Sequence, residues 1–278
     1  MASRLRSPRF VPLLALGGCV LTSASAAGAT PLEHDEQKYS AWQSNQHSFY
    51  VSSASDVGVI YARPQLTLGW GAPFWNFFGI DAYGLATNEF SAAYVGWRAS
   101  LPFLDVQLGR RWNYAYDRRF LPPRDEYEAK DLELIEGATR SKYQVMELEV
   151  TPLAPVLHGA VFVEFHPIWI DAPNDRYVFE EVTRVVAVPP FVMRTRLGYV
   201  YGVGASGDVK AGAMVEYLIA PGRPQNTTRV GPLLLASFTK HFEGLFTWTV
   251  VVDGPDKLGV YAGSYGFLGV RYRFAERF

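Results

Sequence analysis

Residues 268–278 read LGVRYRFAERF. Leu268, Val270, Tyr272 and Phe274 occupy alternate places, with Gly269, Arg271 and Arg273 between them. Alternation at period two is the mark of a strand whose two faces meet different surroundings. Chain ends in water are ordinarily polar and frayed, so this ending calls for an apolar partner on one face and a polar one on the other.

The same period runs back through the chain. Strands are expected at about 47–53, 58–70, 75–86, 89–101, 103–117, 142–152, 158–170, 190–203, 207–219, 229–240, 244–253 and 258–274. Apolar rows such as Leu66, Leu68 and Trp70, or Phe246, Trp248, Val250 and Val252, lie opposite polar ones such as Arg63, Gln65 and Thr67. A soluble sandwich would bury its apolar rows between shorter strands. Long strands favour the inverted arrangement, apolar toward lipid and polar toward a lumen. Beyond the N-terminus no run of about 18 apolar residues exists, which excludes a helical span. The expected fold is therefore all-β, a transmembrane antiparallel up-and-down barrel of about twelve strands over 47–278, with ten as the alternative count.

Connection lengths test the count. With twelve strands, the turns near GAPF, LPF, TPLAPVL, ASG and HFE fall on one side and the long connections 118–141 and 171–189 on the other. Barrels with both termini in the periplasm have this asymmetry, whereas eleven strands would reverse it. Trp70, Trp97, Tyr272 and Phe274 would form a periplasmic aromatic belt, and Trp112, Trp169 and Tyr217 an outer one. Strict alternation after Leu104, Val106 and Leu108 puts Arg110 toward lipid, so a bulge at Gly109 is expected.

The N-terminus has another character. Arg4, Arg6 and Arg9 precede the apolar stretch FVPLLALGGCVL, followed by A-x-A sites ending at Ala26 and Ala29. Residues 1–29 read as a secretory signal peptide, and its removal takes away three positive charges. Cys19, the one cysteine, stands in LGGC, a lipobox-like setting that offers a lipidated alternative. No disulfide can form within the chain. Residues 30–46 are a polar periplasmic lead-in.

The stretch FLGVRYRF, 267–274, resembles the C-terminal signal of bacterial outer-membrane β-barrel proteins, the porin-like class. Gly269, Tyr272 and Phe274 match its glycine, aromatic, any, aromatic pattern, and Phe278 matches the frequent terminal phenylalanine. The resemblance implies a Gram-negative outer membrane, lipid as surroundings, and the barrel assembly machinery as partner during biogenesis. The best match ends at Phe274 and leaves AERF as a periplasmic overhang.

Composition excludes other classes. The 278 residues are 49% hydrophobic and 15% aromatic with a formal charge of −1, and no basic stripe points to nucleic acid. GVGASG, 202–207, fits a dinucleotide pattern, but the following DVKAGAMVEYLI alternates at period two and opens no helix, so it reads as a tight turn. Of five histidines, only His166 falls on an inward face beside a carboxylate, Glu164, and no serine or cysteine adjoins it, so no catalytic residue, metal or cofactor is assigned. The acids Asp125, Glu126, Glu128, Asp131, Glu133 and Glu136 read as a solvated loop. DLELIE, 131–136, suggests a short amphipathic turn, and Val182 to Val188 a β-like run able to pack into the lumen mouth.

The expected lumen-lining residues are Arg63, Arg98, Glu147, Glu149, Glu164, His166, Arg194, Arg196, Arg271 and Arg273. Inward charges of both signs nearly cancel, which suggests cross-strand ion pairs in a narrow interior. The leading expectation is a non-enzymatic structural or interaction component, such as the outer-membrane anchor of a multi-protein envelope apparatus with envelope protein partners. A narrow pore for small solutes is the alternative, and a barrel-embedded hydrolase the second.

Overall fold

In the computed structural model, residue 42 and residues 46–173, 175–204 and 208–278 are described. The signal peptide, Cys19 and most of the lead-in lie outside them, as do residues 205–207 of the GVGASG turn.

Twelve long strands among these residues close into one barrel. They are β1 (Ser48–Gly58), β2 (Tyr61–Ala72), β3 (Asn76–Thr87), β4 (Phe90–Leu101), β5 (Leu104–Arg119), β6 (Arg140–Val156), β7 (Gly159–Asp171), β10 (Phe191–Val203), β11 (Val209–Ile219), β12 (Thr227–Ser237), β13 (Phe242–Asp253) and β14 (Tyr265–Arg277). Each pairs antiparallel with its chain neighbour, β7 pairs with β10, and β14 pairs with β1 to close the ring. The two remaining strands, β8 (Val178–Glu180) and β9 (Val185–Ala187), form a hairpin outside the ring, within the β7–β10 connection. No helix is long and apolar enough to cross a membrane.

The burial pattern is that of a globular protein turned inside out. Leu68, Ile80, Val95, Trp97, Leu108, Leu197, Val270 and Phe274 are exposed on the outer face, while Asp56, Asp81, Arg111, Glu164, Arg194, Glu216 and Arg229 are buried. Among the described residues, Arg111 and Arg229 are the largest fully buried side chains. Trp70, Phe103 and Phe274 ring one rim of the outer face, and Trp112, Trp169 and Tyr217 lie toward the other.

Four expectations need correction. β1 runs to Gly58, past its expected end at residue 53: Ser52, Ala54 and Asp56 continue the inward row begun by Tyr50. β14 begins at Tyr265 and continues through Ala275, Glu276 and Arg277, which pair with Ser52, Val51 and Tyr50, so AERF is the end of the closing strand. The one-turn helix α1, Gly259–Gly263, occupies the span expected to start that strand.

The fourth concerns Gly109. No bulge interrupts β5 there: Gly109 opposes Gly96, Arg110 opposes Val95 and Met146, and Arg111 opposes Tyr94. Arg110 stays on the exposed outer row. Both glycines give room to Tyr94, whose ring atoms lie 2.5 Å from where a Cβ at Gly109 would stand and whose hydroxyl lies 2.1 Å from one at Gly96. In the external loop a single 3-10 turn, Ala129–Leu132, overlaps only the start of the suggested DLELIE turn.

Candidate functional site

The hairpin β8–β9 folds back into the outer mouth of the barrel. Val178, Val185 and Ala187 pack on Tyr143, Val145, Ile168, Ile170, Val192 and Leu218 of the inner wall. Phe179 and Val186 face the other way, into a cluster with Leu121, Tyr127, Leu132, Leu258 and Ala262 from the external segments. The hairpin thereby joins a dry lid to the wall.

Polar latches fix it. Glu180 accepts hydrogen bonds from Arg111 Nη1 at 2.9 Å and from the Thr183 N–H and hydroxyl at 2.7 and 2.8 Å. The Tyr143 hydroxyl accepts the Glu181 N–H at 3.0 Å. Arg229 of β12 donates to the carbonyls of Thr183 and Arg184. Arg118 and Arg184 both reach Glu89, and Arg118 Nε lies 3.2 Å from Glu181. The tight loop is tied to its surroundings at several points, and the bonds from Arg111 and Arg229 are charge-assisted, stronger than neutral ones.

Beneath the hairpin lies a polar vestibule of about 310 Å³. Arg63, Arg98, Glu147, Glu149, Glu164, His166, Arg194, Arg196, Arg271 and Arg273 all line it, from Phe74 and Arg273 near the periplasmic rim up to Val182 of the hairpin. Its charges are paired across strands. Asp56 accepts from Arg63 and Arg271, Asp81 from Arg98, Gln65 and Thr67, and Glu164 from Arg194 at 2.8 Å. Glu216 takes Arg196 and Arg229, each at 2.6 Å, and Glu147 takes Arg111 at 2.9 Å. Asp105 pairs with Arg98 and Glu243 with Arg273.

The pairs are lopsided in their access to water. Arg63 is 34% exposed while its partner Asp56 is 2%, and Arg98 is 26% exposed while Asp81 is 1%. On this side of the lumen the guanidiniums of Arg63, Arg98 and Arg271 form the wet surface, whereas on the β6–β10 wall Arg194 is buried and Glu149 faces the water.

A second cavity, of about 140 Å³, opens at the external end between Ile60, Leu85, Thr87, Asn88 and Phe267. It shares Arg63, Tyr83, Val182 and Tyr265 with the vestibule. The two spaces meet at that four-residue neck beside the hairpin tip.

Asp56, Tyr83, Glu180 and Arg229 were not among the expected lumen residues. Asp56 lay between two expected strands, Glu180 in a loop, and Arg229 at a strand boundary; only continuing the period-two row through SASDV would have found the first. The external acids are partnered, Glu126 with Lys257, Glu128 with Lys130 and Asp131 with Arg124. Gly269 faces Gly58 and Leu245, Tyr272 and Phe274 point outward, and the Phe278 N–H donates to the Phe49 carbonyl at 2.9 Å.

A closed antiparallel ring satisfies its backbone within itself, and its apolar outer rows around a lumen of arginines and carboxylates are covered by a bilayer. This is an outer-membrane β-barrel protein. No family model matches the chain, and no curated protein does. Among solved structures it is similar to the KdgM porin in complex with disordered oligogalacturonate, at 10% identity and TM-score 0.41 over 81% of this chain and 99% of that one. The NanC porin gives 10%, 0.39, 83% and 99%, and in-vitro folded OmpT of Vibrio cholerae gives 11%, 0.38, 82% and 97%. The assignment of the barrel rests on its own strand pairing and surface.

Proposed function

We propose that the barrel is a non-enzymatic, narrow outer-membrane channel for small anionic solutes, held nearly shut by its internal hairpin. The observation that carries this reading is the neck: an external cavity and the vestibule share Arg63, Tyr83, Val182 and Tyr265 in their walls. The water-facing guanidiniums support the preference for anions, since a pore lined by arginines favours negative solutes.

Planar-bilayer recording of refolded protein tests it. Small steps with chloride favoured over potassium are expected, rising when residues 178–187 are replaced by a Gly-Ser linker. Silence from both forms, or a cation preference, overturns the reading. The buried web of Arg111, Glu147 and Glu180 favours a second reading, a stiff anchor for envelope partners; silence from the linker form is its expected result.

A further inference from the structure

We propose that Glu149, Glu164 and His166 form a binding site for a divalent transition-metal ion of the Zn2+ type on the lumen wall made by β6 and β7. His166 lies near the middle of β7 and is 4% exposed. Neither ring nitrogen has a hydrogen-bond partner. Buried polar atoms are nearly always satisfied, so an imidazole orphaned at both nitrogens calls for an explanation.

Its surroundings supply one. Nε2 faces Glu147 Oε2 at 3.5 Å, and Nδ1 faces Glu149 Oε2 at 3.7 Å and Glu164 Oε1 at 4.0 Å. One ligand atom from each of Glu149, Glu164 and His166 falls within a 4.8 Å group. Tetrahedral ligands about 2.1 Å from a zinc ion stand roughly 3.4 Å from one another. The gaps at Nδ1 are too long for hydrogen bonds and only slightly wider than the spacing across a metal, so small side-chain rotations complete the site. Imidazole with carboxylate oxygen suits zinc-like ions, and soft thiolate is not required.

The neighbours behave as outer supports. Arg194 holds Glu164 Oε1 through Nε at 2.8 Å and Nη2 at 2.7 Å, which leaves Oε2, 3.4 Å from Arg196 Nη1, as the freer oxygen to turn toward a metal. Glu149 is bound less tightly, with Arg194 Nη2 at 3.7 Å, and at 28% exposure it faces the vestibule, the route by which an ion would arrive. Hydrogen-bonded carboxylates around metal ligands are a usual second layer. Three carboxylates, those of Glu147, Glu149 and Glu164, stand within 4.0 Å of the ring nitrogens.

The test is direct metal binding by the full refolded barrel in detergent, which does not depend on solute passage. ZnCl2 is titrated by calorimetry, and CoCl2 by visible absorption for the strong bands of a tetrahedral ion. One ion per barrel is expected, with at least a roughly tenfold loss of affinity in both His166→Ala and Glu149→Gln. Folding of each is checked by heat-dependent gel mobility, and Glu149→Gln decides should His166→Ala fail to fold. No binding, octahedral cobalt spectra, or affinity unchanged in the folded variants overturns the proposal.

Discussion

Glu180 of the hairpin and Arg111 of the wall are joined at 2.9 Å, and neither side chain touches solvent. The bond links two positions 69 residues apart in the chain. Leaving a buried charge wholly unpaired costs about 3–5 kcal/mol, and the loss here is smaller because Arg111 keeps Glu147 at 2.9 Å. Glu180→Ala is therefore expected to free the hairpin while the barrel, held by its own strand pairing, survives. Hydrogen exchange at residues 178–187 should accelerate and the bilayer steps should grow; unchanged exchange would show that the apolar packing alone holds the plug.

A pH dependence follows from the adjacent residue. Burial, aided by the negative charge of Glu89, pushes the Glu181 carboxyl up to about 8, against the pull of Arg118 and Arg184. The docked hairpin thus binds a proton that the released one gives up at the ordinary value of 4.5. The Glu181 contribution to docking is fully present below that value and is lost as pH rises toward 8. Exchange protection of the hairpin should fall over this window, and Glu181→Gln should flatten the profile.

Tyr94 depends on two missing side chains. A Cβ at Gly109 would stand 2.6 Å from the Val95 carbonyl oxygen as well as against the tyrosine ring, and backbone cannot move aside cheaply. Gly109→Val should abolish the heat-modifiable folded band. Gly84→Ala, where the nearest heavy atom is 4.0 Å away, should leave it intact.

The last four residues hold part of the closure. Deleting 275–278 removes three register pairs with β1 and the Phe278 to Phe49 bond. The expected outcome is a lower folded yield than for Phe274→Ala, which takes away one outward aromatic and no backbone pair. The comparison needs only the two folded fractions side by side on gels.

The fold was legible because lipid and lumen impose opposite demands on alternate residues, as in Leu268 to Phe274. The interior was legible where long polar side chains keep that alternation, as at Arg194 and Arg196. It failed at Ala54 to Asp56, past the expected end of the first strand, where the inward residues are small or acidic and Arg63 and Arg271 from neighbouring strands close on Asp56. It failed too at Gly109, whose need lies in Tyr94 on another strand. The hairpin's apolar character showed in Val182 to Val188, but its latches are long-range pairs with Arg111 and Arg229, and no local pattern announces those.

Asp56 has one further consequence. It accepts Arg63 from β2 and, across 215 positions, Arg271 from β14. The second bond exists only once the first and last strands have met, and contacts so distant along a chain form slowly. Arg271 is thus a timekeeper: a spectroscopic probe on this pair would register the moment the ring shuts, separately from the growth of the sheet that precedes it.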